Sequence, residues 1–188
     1  MLWEALGFIL LSGVFLVIFT VNRTYYFCRT NKENISIMLG GIYGILEKRN
    51  LLLEDFFVFL NSLVSNHLDA EFIKLSDGIK GLGVAIKDDF LKFKVEEISI
   101  DEEKYRENIF HLFEYVNKIP NMAYNLDVHE YKKQLANLNL DLLNFQDKYN
   151  SYVKQNNKLL TKFPYKYYNK YLELFELPLL KFKKLVEM

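Results

Sequence analysis

The sequence predicts an all-α protein, an N-terminal transmembrane helix followed by a long antiparallel helical bundle. Three observations carry that prediction. An apolar run without charge extends from Ala5 to Val21, and two later stretches repeat apolar side chains at alternating steps of three and four. Gly (8) and Pro (3) are scarce while aromatics reach 16% of residues, a balance that favours long uninterrupted elements with bulky cores. A chain of 188 residues has room for one ordinary domain beside a membrane segment: residues 1–30 read as anchor and juxtamembrane segment, 31–188 as the bundle.

The Ala5–Val21 run fits a short membrane span, for which roughly 17 to 25 residues suffice. Trp3 at one edge and Tyr25, Tyr26 and Phe27 at the other resemble the aromatic belts of membrane interfaces. No Lys or Arg precedes the run and no A-x-A-like site follows it, so a retained anchor is expected rather than a cleaved signal peptide. Cys28 follows bulky residues, unlike a lipoprotein cleavage site, and reads as an ordinary juxtamembrane thiol. Arg23, Arg29 and Lys32 follow the span whereas Glu4 precedes it, so the positive-inside rule places the C-terminal domain in the cytoplasm of a single-pass cell-membrane protein.

The next helix is expected over residues 33–67. Ile35, Met38, Ile42, Ile45, Leu52, Phe56, Phe59 and Leu63 form a heptad seam, with Arg49 in the remaining slot. Gly40 and Gly41 weaken it by up to about 1 kcal/mol each. A second bundle helix is expected from Ala70 to Phe93. Its Gly78, Gly81 and Gly83 follow no strand, so they read as a flexible or closely packed patch rather than a phosphate loop. The charged stretch Lys94–Lys104 reads as a connection, with Asp101 capping a third helix that runs to about Lys118 and stops before Pro120.

The strongest pattern follows. Val128, Tyr131, Leu135, Leu138, Leu142, Phe145, Tyr149, Tyr152, Asn156, Leu159 and Phe163 keep three-four alternation without a break, predicting one helix of about 40 residues and near 60 Å. Only the 33–67 helix is a comparable partner for that stripe, so the two should pack together. Pro164 ends the long helix, and Pro178 kinks or breaks the remainder. There Tyr168, Tyr171, Phe175, Leu179 and Phe182 share one face, which suits a membrane interface or a closing helix on the bundle equally well.

At this point the chain resembles the LemA proteins, which pair an N-terminal membrane helix with a helical bundle. The resemblance rests on Tyr149-Asn150-x-x-Val153-x-x-x-Asn157-x-x-x-x-x-Phe163-Pro164, which matches the family signature without a gap. Pro120 and Pro178 also fall at family positions, with Ile119 replacing a Tyr. Lys48-Arg49 and the following Leu52–Phe57 resemble a further family stretch, but Glu54 and Asp55 stand where Pro and Asn are usual. The resemblance implies a membrane-anchored bacterial protein of helical-bundle type and supplies no reaction.

Composition and spacing bound the function further. Lys plus Arg and Asp plus Glu both number 24, so there is no basic surplus to recommend nucleic acid as a partner. The three histidines, His67, His111 and His129, are scattered, and HExxH is absent. Glu107, His111 and Glu114 share a helix face, yet a di-iron bundle needs Glu-x-x-His on two helices, so a solvated polar face is expected. No cofactor and no catalytic residue are implied. Arg49 and Asn156 each hold a seam slot otherwise given to hydrophobes and are candidate buried polar register residues, Arg49 being expected near Phe145–Tyr149, with Asp141, Asp147 or a Tyr ring receiving its charge. Asn150 and Asn157 flank the seam as braces. The partners expected are the lipid bilayer and one or more unidentified proteins, and the function expected is a non-enzymatic scaffold or interaction module. Two alternatives stay open: a membrane-linked sensor that takes a ligand or partner near Arg49, favoured by an apolar cavity there, and an enzyme whose site is assembled from distant helices.

Overall fold

The computed structural model describes residues 2–64, 69–161 and 176–182. Among these the chain forms four helices and no strand: α1 (Leu2–Val64), α2 (Ala70–Leu91), α3 (Val95–Lys118) and α4 (Leu126–Leu160). The all-helical bundle is thus as expected. Anchor and first bundle helix are one element rather than two, for no Gly or Pro interrupts Phe19–Leu39, and Arg29 bridges Glu33 at 3.0 Å one turn on.

The chain divides into two compact units, Met1–Ile37 with Asn150–Leu177 and Met38–Tyr149 with Pro178–Met188. In the first unit, Ala5 and every residue from Gly7 to Thr20 are exposed. Among the described residues, the helix that carries this apolar run is the one long and apolar enough to cross a membrane. Val21 closes the run, half-buried. From Thr24 the pattern changes: Thr24, Cys28, Asn31 and Ile35 are buried in steps of four, three and four, a seam that starts before the first seam residue read from the sequence. Within this unit Asn31 Nδ2 donates to the Tyr152 carbonyl at 3.3 Å, and Val153 and Asn156 are buried on α4.

The second unit holds four helical segments that alternate in direction. Asn50 meets Gly83 and Lys87 lies over Tyr43, so α1 and α2 are antiparallel. Phe72 faces Tyr115 while Gly78 faces Asn108, so α2 and α3 are antiparallel as well. Phe145 lies against Gly41 and Tyr131 against Phe56, making α4 antiparallel to α1, as the two heptad series require. Each helix buries its own three-four stripe: Phe72, Ser76, Ile79, Gly83, Ile86 and Phe90 on α2; Ile98, Glu102, Tyr105, Ile109, Leu112 and Val116 on α3. Phe56 is the hub, its ring 5.3 Å from Phe113 and 4.9 Å from Tyr131, and burying side chains of this size stabilises by about 1.5–3 kcal/mol each.

The helix ends differ in how closely they follow expectation. Asp69 caps α2, accepting from Glu71 and Phe72 main-chain N–H groups, and those bonds, the Phe72 one foremost, hold its carboxyl below the ordinary range. Asn125 caps α4 in the same way through Asp127 and Val128. The expected connection Lys94–Lys104 is corrected: the turn is confined to Lys92–Lys94, and α3 starts at Val95 with Asp101 inside it rather than capping it. The turn is made by Phe93 at φ 54°, a left-handed conformation that Gly or Asn signals and Phe does not. Pro120 follows the end of α3 as anticipated.

Segment 176–182 is non-helical. In the second unit Leu180 and Phe182 are buried while Leu179 and Lys181 are exposed, a period of two in place of the helical face that grouped Leu179 with Phe182. The Phe182 N–H donates to Gln146 Oε1 and its ring lies 6.5 Å from Phe90. The residues read as a helical face at Tyr168, Tyr171 and Phe175 lie outside the described residues.

Candidate functional site

The most unusual chemistry lies in the second unit, at the slot the heptad assigned to Arg49. Its side chain is 1% exposed, and its guanidinium forks onto the Glu102 carboxylate, Nη1 to Oε2 at 3.2 Å and Nη2 to Oε1 at 2.5 Å. The guanidinium carbon also lies 4.2 Å from the centre of the Tyr105 ring, a cation–π contact. Heptad geometry brings the three together: Glu102 and Tyr105 are successive positions of the α3 stripe, and Arg49 is the α1 position at their level. The expected acceptors were Asp141, Asp147 or a Tyr ring on α4. The structure instead draws both carboxylate and ring from α3, while Asp141 and Asp147 are exposed on α4.

Burial by itself lowers the Arg49 pKa. The Glu102 charge, with the Tyr105 ring behind it, outweighs that effect and holds the guanidinium above its ordinary value. The Tyr105 hydroxyl is pushed up to about 12, chiefly by burial, against the opposing influence of Arg49. The fork satisfies four polar atoms, yet Arg49 Nε and the Tyr105 hydroxyl meet no hydrogen-bond partner among the described residues. Beside them is a cavity of about 40 Å³ lined by Asn50, Leu53, Glu54, Ile79, Lys80 and Tyr105. That volume is close to the share of one water in the liquid, so the seam around Arg49 is nearly filled.

The remaining sequence-selected residues separate into two groups. In the second unit Tyr149 is buried, and its hydroxyl donates to the Pro178 carbonyl at 3.1 Å; burial pushes this phenol, too, up to about 12. In the first unit Val153 is buried, Asn156 donates to Asn157 at 3.4 Å, and Asn157 holds the Leu177 main chain on both sides, donating to its carbonyl at 2.8 Å and accepting from its N–H at 3.2 Å. Tyr149 and Asn157 thus tether consecutive residues, Pro178 and Leu177, each within its own unit. Asn150 is half-buried, and Phe163, Pro164 and His67 lie outside the described residues. His111 pairs with Glu114 at 3.2 Å, both exposed, and His129 is also exposed, in keeping with a solvated face. Among the described residues no group of three metal-ligating side chains converges.

Sequence reasoning missed Glu102, Tyr105 and Asn31. The signal for Glu102 was its place in a three-four series with Ile98, Tyr105 and Ile109, hidden by the acidic residues around it. A second feature of the same unit is an open groove of about 430 Å³ between α1 and α4, lined by the apolar Leu51, Leu52 and Leu138 and by the charged Lys48, Asp55 and Asp141. Comparison with known proteins gives no match, neither to a family model nor to a curated protein or a solved structure.

Proposed function

We propose that this chain is a membrane-anchored, non-enzymatic scaffold or interaction module of the LemA type, which presents its helical bundle at the cytoplasmic face of the cell membrane. One observation carries the reading. The residues of α1 from Gly7 to Thr20 are exposed, and most are large hydrophobes, whereas the same helix buries a regular stripe from Thr24 onward. An apolar surface of this length has no stable place in water and suits the hydrocarbon of a bilayer. Arg23, Arg29 and Lys32 just beyond it favour a cytoplasmic bundle, and the Tyr149–Pro164 signature supports the family. The near-filled seam at Arg49 does not favour the sensor alternative, because about 40 Å³ admits no organic ligand.

Proximity labelling from the full-length chain in its membrane tests this function. Enrichment of a defined protein set over a control carrying only residues 1–30 is the expected result. Labelling indistinguishable from that control refutes the scaffold reading, and release of the chain from membranes by alkaline carbonate refutes the anchor.

A further inference from the structure

The α1/α4 groove carries a chemical pattern that the scaffold reading leaves unused. Its α1 wall is Lys48, Leu51, Leu52 and Asp55, and three of these belong to a longer stripe, Gly44, Lys48, Leu51, Asp55 and Val58, a second three-four series offset from the buried one. Leu51 is 55% and Val58 68% exposed, large hydrophobes that a solvated helix face has no reason to repeat seven residues apart. Lys48 and Asp55 are exposed and have no ion-pair partner among the described residues. At Gly44 a Cβ would meet nothing within 4 Å, so the space above that backbone is open.

The order of these residues identifies the occupant. Reversing the stripe about Leu51 and Leu52 exchanges Lys48 with Asp55 and Gly44 with Val58, and leaves leucine facing leucine. Each exchange joins complements: cation to anion, open backbone to projecting side chain. A stripe with like charges at both ends would repel its own image; this one attracts it. Two-fold dimers use one patch twice in this way.

We propose that the α1/α4 groove docks a second copy of this chain, the two α1 helices crossing in opposite directions about a two-fold axis at Leu51 and Leu52. Lys48 of each copy then pairs with the partner's Asp55, and Val58 lies over the partner's Gly44. The leucines of each copy enter the groove of the other, forming an apolar centre with a charged rim. The inference rests on the interaction-module reading and gives that module its first partner.

The test is a charge exchange on the full-length chain in detergent micelles, with sedimentation equilibrium as the readout. The expected result is a reversible dimer that Lys48→Asp and Asp55→Lys each weaken about ten-fold or more, since either change sets like charges opposite one another twice. The double variant K48D/D55K is expected to recover wild-type association to within about three-fold. Helical circular dichroism of all three variants is expected to match wild type, because the positions are exposed. Leu51→Cys is expected to form a disulfide-linked dimer under mild oxidation, while Cys28, which is buried, does not. A wild-type chain that stays monomeric to about 100 µM, or a double variant no better than the singles, overturns the proposal. A monomeric chain that still enriches partner proteins in proximity labelling rejects this contact alone and leaves the scaffold reading standing.

Discussion

Replacing Glu102 by Gln keeps the side chain's shape and removes its charge, leaving the Arg49 guanidinium buried with no counter-ion. Arg49 and Glu102 are 1% and 2% exposed, so solvent does not take over the lost interaction. Breaking a buried ion pair from one side costs about 3–5 kcal/mol, against about 0–1 kcal/mol for an exposed pair such as Arg29–Glu33. For a chain of this size 1 kcal/mol moves the thermal midpoint by about 2–4 °C, so Glu102→Gln is expected to lower it by about 6–20 °C. The Tyr105 ring keeps part of the loss from being larger, because its 4.2 Å contact with the guanidinium survives. The double replacement Arg49→Met with Glu102→Leu removes both charges together and is expected to unfold within a few degrees of wild type or above it, since apolar substitutes often match or exceed a buried pair. The assay is thermal unfolding of the full chain in micelles, followed by circular dichroism at 222 nm. A drop smaller than about 2 °C for Glu102→Gln, or a double variant as unstable as the single, refutes the assignment of Glu102 as the charge that holds Arg49.

Three further outcomes are expected. Tyr105 and Tyr149 both have folded pKa values raised from 10.0 to about 12, so the folded state holds more protons than the unfolded one between those values. Their contribution is complete below pH 10 and is lost as pH rises towards 12; alkaline titration of stability should show this fall, reduced in Tyr149→Phe. Gly41→Ala places a Cβ 2.2 Å from Phe145 Cε1 and is expected to cost about 1–3 kcal/mol, while Gly40→Ala, with nothing within 4 Å, should gain up to about 1 kcal/mol; urea unfolding of the two neighbours compares them directly. Asn157→Ala removes both bonds to Leu177 and should speed amide exchange at Leu177 by about ten-fold or more, leaving the amides of α2 unchanged.

The parts of this fold that were legible are those whose side chains are both apolar and periodic. Ile35 to Phe59 and Val128 to Leu159 announce their helices and their mutual packing because, Arg49 and Asn156 apart, each third or fourth position is a hydrophobe. The same seam is silent at Thr24, Cys28 and Asn31, which occupy identical geometry with side chains that read as solvent-facing. Two misreadings at the candidate site share one cause. Taking Lys94–Lys104 for a connection placed Glu102 in a charged loop, and with Glu102 set aside, the search for an acceptor moved to α4. A buried carboxylate inside an acidic stretch differs from its neighbours only by period, and three seam positions across eight residues are a short series to detect. Phe93 shows a different limit, since a left-handed turn made without Gly or Asn leaves no mark in the sequence. Tyr149 and Asn157 were visible as a signature, but their acceptors at Leu177 and Pro178 are main-chain atoms, which carry no residue identity.

The cluster also answers a question that heptad packing leaves open. Seams built on a seven-residue repeat are nearly degenerate, because a helix moved by one heptad again sets apolar residues opposite apolar residues. Suppose the α2–α3 hairpin slides by seven residues along α1. Arg49 then faces Val95 or Ile109, while Glu102 faces Ile42 or Phe56, and two unpaired charges are buried at once. The same slide replaces Gly83 beside Asn50 by Ser76 or Phe90, where the native register has the Asn50 amide donating to the Gly83 carbonyl at 3.1 Å and a Cβ would lie 2.4 Å from Asn50 Oδ1. Neither device adds much net stability, yet each penalises the competing registers, which is how polar seam residues act where their role is best attested. The double variant R49M/E102L, combined with Asn50→Ala, should therefore stay folded while losing a single register. Cysteines placed at Phe56 and Val116, one heptad out of step with the native level of Phe56 and Ile109, would then cross-link, whereas they would not in the native background. Absence of that cross-link in the triple variant would mean that shape alone sets the register, and that Arg49 is retained for some other reason.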